Sequence, residues 1–389
     1  MRIFLTSTDN PYQKQVGGKH IHQLLFEKAL RELGHHVDFF YPTFHKRKKI
    51  VTAWKLSTHF LPLNSFGFLE YRLKTDAKQL FARGTDPFSE PYDVLHAQDP
   101  LSLLYTQNIK CKKRIITLHG YFTKESINYS KLPGKYIPEF IRWSMNMEKE
   151  AYALADFFIC VDSNIRDYLI NEFNIPVSKI AVIFNAIDTR RFSPIAPGEI
   201  ERLRNTYGYT TDQYIILVPR RLVKKNGVHI ALQALKLIQD ENTILLIAGD
   251  GPERDNLMKE CGTNHRVQFL GAVNHDQVID YFRLTDTVLI PSITSDGFQE
   301  ATSLAMLEGM SMGKPTICSA IGGMKEVVKH NETGFLVEEQ NPKAIAQQIK
   351  WIQRNPEAID KLIFNARNYI MENHHYRSHA QKITNYYGI

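Results

Sequence analysis

The stretch Glu300-Ala-Thr-Ser-Leu-Ala-Met-Leu-Glu308, continued by Gly309-Met-Ser-Met-Gly-Lys-Pro315, lies between two short apolar runs, Thr287–Ser292 and Pro315–Ala320. Leu304, Met306 and Leu307 make an apolar stripe at helical spacing, which predicts a helix over Ser303–Met312, stopped by Gly313 and Pro315. Apolar runs on both sides of one helix are the unit of a parallel sheet, because parallel neighbours need a crossover connection. The same stretch carries two carboxylates, Glu300 and Glu308. At about 1.5 Å of rise per helical residue they would lie roughly 12 Å apart if the segment between them is mostly helical. That separation suits a long polar ligand held at two points. It is too long for a glycosidase pair, which needs its carboxyls within about 5–9.5 Å. The alternative is a solvated helix face with two ordinary glutamates.

The same alternation extends in both directions. In the first half, strands are expected at Arg2–Thr6, His36–Tyr41, Asp93–Ala97, Arg114–His119, Phe157–Val161 and Ile180–Phe184, with a helix from Gly18 to Leu33 closed by Gly34. In the second half they are expected at Tyr214–Val218, Ile244–Ala248, Val267–Leu270, Val288–Ile290 and Thr316–Cys318. Helices there read at Val228–Ile238, Glu253–Lys259, Gln277–Leu284, Ser303–Met312 and Lys343–Gln353. Strands alternating with helices predict parallel sheets covered on both faces. The fold class is therefore α/β, with two Rossmann-like doubly wound domains facing a central cleft. Pro194 and Pro197 interrupt regular structure, which places the boundary between 1–195 and 196–373, with 374–389 packing back on the first domain.

Bulk composition agrees. A chain of 389 residues, 43% apolar and 11% aromatic, is too long for one core and rich enough for two. No apolar run approaches the roughly 20 residues of a membrane span, and the first residues turn polar too early for a signal peptide. Cys111, Cys160, Cys261 and Cys318 lack Cys-x-x-Cys spacing, which suits buried thiols in a reducing cytoplasm. Residues 1–195 carry 27 Lys+Arg against 19 Asp+Glu, and residues 196–389 carry 21 against 22. The whole excess of +7 therefore belongs to the first half (+8 against −1), which points to an anionic partner there.

In doubly wound folds ligands bind beyond the carboxyl ends of the strands. After the first strand, Gln15-Val-Gly17-Gly18-Lys19-His20 opens a helix. Paired glycines allow close backbone approach and a helix N-terminus favours an anion, though a plain strand-to-helix turn reads the same. His119 ends a strand and so faces the cleft. His96 also ends a strand, and is read as hydrogen-bonded within the core. After Tyr214–Val218 comes Pro219-Arg220-Arg221-Leu-Val-Lys224-Lys225-Asn226-Gly227. Four cations crowded at a helix N-terminus oppose the helix dipole and each other. A bound diphosphate would relieve both, with Arg as a bidentate fork and Lys as a point charge; a solvated basic loop is the alternative. Gly249-Asp-Gly-Pro252 reads as a tight turn. The chain has no Gly-x-Gly-x-x-Gly, P-loop, Gly-x-Ser-x-Gly or metal-ligand Cys/His cluster. It also has no Asp-x-Asp to hold a divalent metal, so no metal and no cofactor is expected.

Taken in order, these motifs resemble the retaining glycosyltransferases of the GT-B fold, family 4. The likeness runs from Gly17-Gly18 through Leu118-His119, Val182-Ile-Phe-Asn185-Ala-Ile-Asp188 and Arg191-Phe192 to Arg221…Lys225. It continues through Gly249-Asp-Gly-Pro252, Phe269-Leu-Gly271, Pro291-Ser292 and the Glu300/Glu308 pair to Gly334-Phe-Leu-Val337. The resemblance implies a metal-independent transfer of a sugar from a nucleotide-sugar donor, of the kind used in polysaccharide biosynthesis. It implies that Glu300 contacts the donor sugar and Glu308 the ribose, and that Arg221 and Lys225 bind the diphosphate. It further places backbone amides near Ser303 and Leu304 at the donor, Val273 beside the base, the Gly17-Gly18 loop over the phosphates and His119 near the anomeric carbon. The family often reads Arg-x-x-x-x-Lys-Gly, whereas Asn226 stands here in the lysine's place, leaving Lys225 or Lys224 to substitute. Thr302 and Ser303 stand where the family often has an aromatic and a glycine. A nucleotide-sugar epimerase of the same fold and a catalytically silent nucleotide-sugar binding protein are the rival readings.

The acceptor, expected to be a glycan, a lipid-linked sugar or a small molecule, falls to the basic first domain. The segment 44–55 combines His45, Lys46, Arg47, Lys48 and Lys49 with Ile50, Val51 and Trp54. It reads either as a membrane-surface patch at the inner face or as a basic loop. No nucleic-acid module is evident.

Overall fold

The computed structural model describes residues 1–12, 17–41, 90–130, 137–274, 276–295 and 297–388. The basic segment 44–55, together with Gln15 and Val16 of the first loop, lies outside the described residues. The chain divides into two compact units, Met1–Ile183 with Ala380–Ile389, and Phe184–His379. The break therefore falls after Ile183 rather than at 195. The physical reason is hydrogen bonding. Ile187 donates its amide to the His374 carbonyl at 2.9 Å and accepts from Tyr376 N at 3.0 Å. Asn185 Nδ2 donates to the Thr302 carbonyl at 3.2 Å, and Phe192 is buried in the second unit's core. The proline-bearing stretch around 194 is thus tied into the second unit before it reads as a linker.

In the first unit β1 (Arg2–Thr6), β2 (His36–Phe40), β3 (Tyr92–Ala97), β4 (Cys111–Leu118), β5 (Phe157–Cys160) and β6 (Ile180–Val182) form a parallel sheet in the order β2-β1-β3-β4-β5-β6. Ile3, Phe4 and Leu5 are all buried, as expected of a strand covered on both faces. The strand order reverses between β1 and β3, so the loops that follow them open at a topological switch point.

The second unit repeats the plan with β7 (Tyr214–Val218), β8 (Thr243–Ala248), β9 (Val267–Gly271), β10 (Thr287–Ile290), β11 (Thr316–Ser319) and β12 (Phe335–Val337), ordered β12-β11-β10-β7-β8-β9. Its strands alternate between two cores. Ile215 and Leu217 join one cluster of buried side chains, Ile216 and Val218 the other, because successive strand residues point to opposite faces. The switch point lies between β7 and β10.

Each strand and helix expected from the sequence is present, with ends moved by at most three residues. Among the described residues β12 is the one added strand, and several helices are added too, among them Ile137–Ala153 and Pro356–Asn373. The Gly249–Pro252 turn packs backbone to backbone on the loop after β7. A Cβ at Gly249 would lie 2.0 Å from the Arg220 carbonyl oxygen, and one at Gly251 would lie 2.3 Å from that of Leu222. Among the described residues no helix is long and apolar enough to cross a membrane. Cys160 and Cys318 are buried, Cys111 and Cys261 partly so, and all four are free thiols.

Candidate functional site

Each switch point carries a cluster of polar side chains. In the second unit the centre is Arg220, the residue after Pro219 at the end of β7. Its side chain is 9% exposed. Nη2 lies 2.9 Å from Glu300 Oε2, donates to Asn226 Oδ1 at 2.6 Å and reaches Ser292 Oγ at 3.1 Å. Nη1 donates to Ser303 Oγ at 3.1 Å. Asn226 in turn donates Nδ2 to the Arg221 carbonyl at 2.7 Å. One buried fork thus ties together the loops after β7 and β10 and the start of the helix Leu304–Ser311.

That helix begins at Ser303, whose Oγ accepts from Met306 N at 3.4 Å. The N-cap satisfies one of the orphan donors of the first turn and leaves the others for a ligand. Glu300, just ahead of it, is held through its backbone. Gly323 N donates to the Glu300 carbonyl at 3.1 Å. Gly322, at φ +49, comes so close that a Cβ there would sit 1.9 Å from the same oxygen. Gln299 Oε1 accepts from Gly322 N at 3.0 Å. Burial pushes the Glu300 carboxyl upward, but the charges of Arg220 and Lys225 outweigh it and hold the group below its ordinary range. Glu300 is therefore an anion at neutral pH.

Glu308 behaves differently. It sits within the same helix, 7% exposed, and burial pushes its carboxyl up to about 8, with Arg191 opposing. Arg191 itself pairs with Asp276 at 2.5 Å. The two glutamates of one segment are thus pushed in opposite directions: Glu300 has a guanidinium against it, whereas burial outweighs the charge of Arg191 at Glu308. Val273, three positions before Asp276, is half-buried against the core. Arg221 and Lys224 are exposed and Lys225 is half-buried.

In the first unit Gly17 precedes the helix Gly18–Glu32 and donates its amide to His20 Nδ1 at 2.9 Å. Lys19 leaves the first turn and bridges two carboxylates, Asp9 Oδ2 at 2.8 Å and Asp99 Oδ2 at 3.0 Å. Burial alone would lower the Lys19 pKa, but the two aspartates raise it. Asp99 also accepts from the amides of Thr8 and Ser102 at 2.9 Å and 2.8 Å. His119 follows β4, and its Nε2 donates to Gln98 Oε1 at 2.9 Å. Its ring meets that of His22 edge-on at 4.5 Å. His96 is buried and hydrogen-bonded inside the sheet, as read from the sequence.

The structure therefore gathers Glu300 and Ser303 around one cation, with Leu304 opening the helix next to them. Glu308 lies further along the same helix, and Gly17, Gly18 and His119 lie in the other unit. Three roles were not assigned from the sequence: Arg220 as the buried centre of the loop, Asn226 as its holder, and Lys19 as the partner of Asp99. The doubled arginine was the available sign. Successive residues of an extended chain point to opposite sides, so a doubled arginine can send one side chain inward and the other outward.

Residues 199–369 match the profile of the glycosyl transferases group 1, and residues 16–191 that of glycosyltransferase family 4. An uncharacterized glycosyltransferase of Methanocaldococcus jannaschii is 26% identical over 100% of this chain and 98% of its own length. Among solved structures, sucrose-phosphate synthase from Thermosynechococcus elongatus superposes with a TM-score of 0.75 at 20% identity, covering 99% of this chain and 98% of that one. HepE of Anabaena, in complex with UDP and glucose, superposes with a TM-score of 0.71 at 18% identity, covering 99% and 98%.

Proposed function

We propose, because the chain belongs to the group 1 glycosyl transferases and has their GT-B fold, that it moves a sugar from a nucleotide-sugar to an acceptor hydroxyl, with retention and without a metal. The observation that carries this reading is the cluster of Arg220, Glu300 and Ser303 at the switch point of the second sheet. It combines an anionic carboxylate suited to sugar hydroxyls with a capped helix start and a loop rich in fixed cations. Such a set fits a ligand that is a sugar at one end and a diphosphate next to it. Glu308, further along the helix, offers a largely neutral carboxyl to the ribose. The neighbour holding UDP and glucose has the same fold, which supports a nucleotide-sugar donor here.

The chemistry follows from where charge develops. As the bond between the anomeric carbon and the phosphate oxygen breaks, negative charge grows on that oxygen. Preorganised cations and amides aimed there lower the barrier without reorganising. The acceptor oxygen bonds to the anomeric carbon on the face the phosphate leaves, and its proton passes to the departing phosphate oxygen. Bonds and charge balance without a protein nucleophile. His119 and the Gly17-Gly18 loop belong to the first unit, to which this reading assigns the acceptor. A lipid-linked acceptor would suit the basic segment 44–55.

The test is calorimetric titration of the full chain with UDP, GDP, ADP and dTDP, followed by turnover of the matching nucleotide-sugar in the presence of chelator. NMR of the product reads the anomeric configuration. Binding of no nucleoside diphosphate by folded protein would remove the donor reading. Inversion would remove the stereochemical part, and loss of activity with chelator the metal-independent part.

A further inference from the structure

Arg220 is more than nine-tenths buried, yet nothing in a strand-end loop requires a buried guanidinium. Its Nη atoms face Glu300, Ser292, Ser303 and Asn226, and its Nε is buried without a hydrogen-bond partner. A cation is taken out of water only where it is paired and serves a purpose. Asn226 offers the acceptor that fixes it: with its Nδ2 committed to the Arg221 carbonyl, its Oδ1 is left facing the guanidinium. Asn226 is also the position at which a lysine would stand in an Arg-x-x-x-x-Lys-Gly loop. A lysine there would carry its ammonium into the space the guanidinium occupies, and two cations within hydrogen-bonding distance of one another repel strongly.

We infer, resting on the donor reading above, that Arg220 and Asn226 form an exchanged pair in which the guanidinium supplies the buried charge that a lysine at 226 would supply. Arg220 is then a positioning residue, which orients Glu300 and the Ser303 cap for the donor. Asn226 is its holder and does not itself replace the cation. Lys225 and Lys224 are auxiliary charges on the outer part of the loop. The arrangement makes positions 220 and 226 interdependent: a cation is needed at one of them and excluded from the other.

The experiment is a two-by-two set on the full chain: parent, Arg220→Gly, Asn226→Lys, and the double variant. Binding of the nucleoside diphosphate that the parent prefers is measured, with its nucleotide-sugar turned over where activity is found. Each single change is expected to weaken binding by at least about tenfold, since each disturbs hydrogen bonds to a charged group. The double variant is expected to return to within about threefold of the parent, an interaction of the kind only coupled sites show. A merely structural role predicts the reverse, with losses that add and a double variant worse than either single. Arg220→Lys, which keeps the charge and loses the fork, provides a milder change if Arg220→Gly fails to fold. It is expected to bind more tightly than Arg220→Gln, whereas a packing role alone would make the two alike. Glu300 gives an independent readout: with Arg220→Gln, the acid limb of the kcat/KM profile moves to higher pH. If the parent binds a nucleoside diphosphate and Arg220→Gly binds it equally, or if the double variant shows no recovery, the exchanged pair is overturned while the donor reading stands. If the parent binds none, the donor reading falls first.

Discussion

Tyr387 and His96, 291 positions apart in the chain, share a hydrogen bond of 2.8 Å between the phenol oxygen and Nδ1. The other ring nitrogen of His96 is bonded to Thr117 Oγ1 at 2.7 Å. Both residues are fully buried, and the surrounding contacts belong to the first unit. Lys113 donates to the Tyr386 carbonyl at 2.8 Å, and Phe157 stacks on Tyr386 with ring centroids 4.7 Å apart. A strand from early in the sequence is thereby completed by a segment from its far end.

Removing the phenol oxygen exposes the value of that bond. Tyr387→Phe leaves a buried imidazole nitrogen unsatisfied, which costs about 1–3 kcal/mol. Thermal unfolding should drop by several degrees. An unchanged melting temperature would show that the bond contributes nothing net.

His96 also sets a pH dependence. Burial, aided by His22, lowers its pKa from 6.5 to about 3. Between those values the unfolded chain binds a proton that the folded chain does not. Stability from this group is therefore intact above pH 6.5 and falls as pH falls toward 3, by up to about 1.4 kcal/mol per pH unit. His96→Gln should lose that part of the slope. Equal slopes in parent and variant, measured by urea unfolding from pH 7 to 4.5, would assign the acid sensitivity elsewhere.

Glu308 acts in the opposite sense. Its pKa is raised from 4.5 to about 8, so the folded state holds a proton that the unfolded state has lost. The stability it contributes is full below pH 4.5 and is lost as pH rises through 8. Glu308→Gln is neutral throughout. Its melting temperature relative to the parent should therefore rise between pH 5 and 9. A difference that stays constant with pH would mean Glu308 ionises normally in the folded protein.

Glu300 carries the sugar-contacting role in the proposed reaction. Glu300→Gln keeps an acceptor for Arg220 but loses the charge, and should lower kcat/KM by about 10²–10³-fold. Glu300→Ala should be as inactive and also less stable, because it strips the guanidinium of its counter-charge. Full turnover by either variant would remove Glu300 from the site.

Gly322 fixes the backbone of Glu300 by close approach. Gly322→Ala places a methyl 1.9 Å from the Glu300 carbonyl and requires a left-handed conformation at φ +49. Strain of about 1–3 kcal/mol is expected, with Glu300 displaced and Glu308 undisturbed. Turnover should fall more than nucleoside diphosphate binding does, and parallel losses in both would argue that the helix as a whole has moved.

The hydrophobic pattern made the fold legible. Period-two runs and 3.6-period stripes are local properties, set by how each backbone presents successive side chains, so the order of strands and helices could be read directly from residue types. The helix that carries Glu308, the turns after the strands and the family likeness were legible for the same reason; that Glu300 lies in the segment ahead of the helix was not. β12 and the break after Ile183 were not, because Phe335–Val337 pairs only with the distant β11 and a linker's allegiance depends on distant partners such as Thr302 and His374.

The sequence by itself determined two doubly wound units and the loops on which a site could form. Only the tertiary structure decided which of Arg220 and Arg221 turns inward, that Asn226 holds the guanidinium, that Tyr387 closes onto His96, and that Glu300 is charged while Glu308 is largely neutral. Side-chain direction at a strand's end and the ionisation of a carboxyl depend on what is packed within a few ångströms. Those neighbours come from chain segments whose meeting no local pattern encodes.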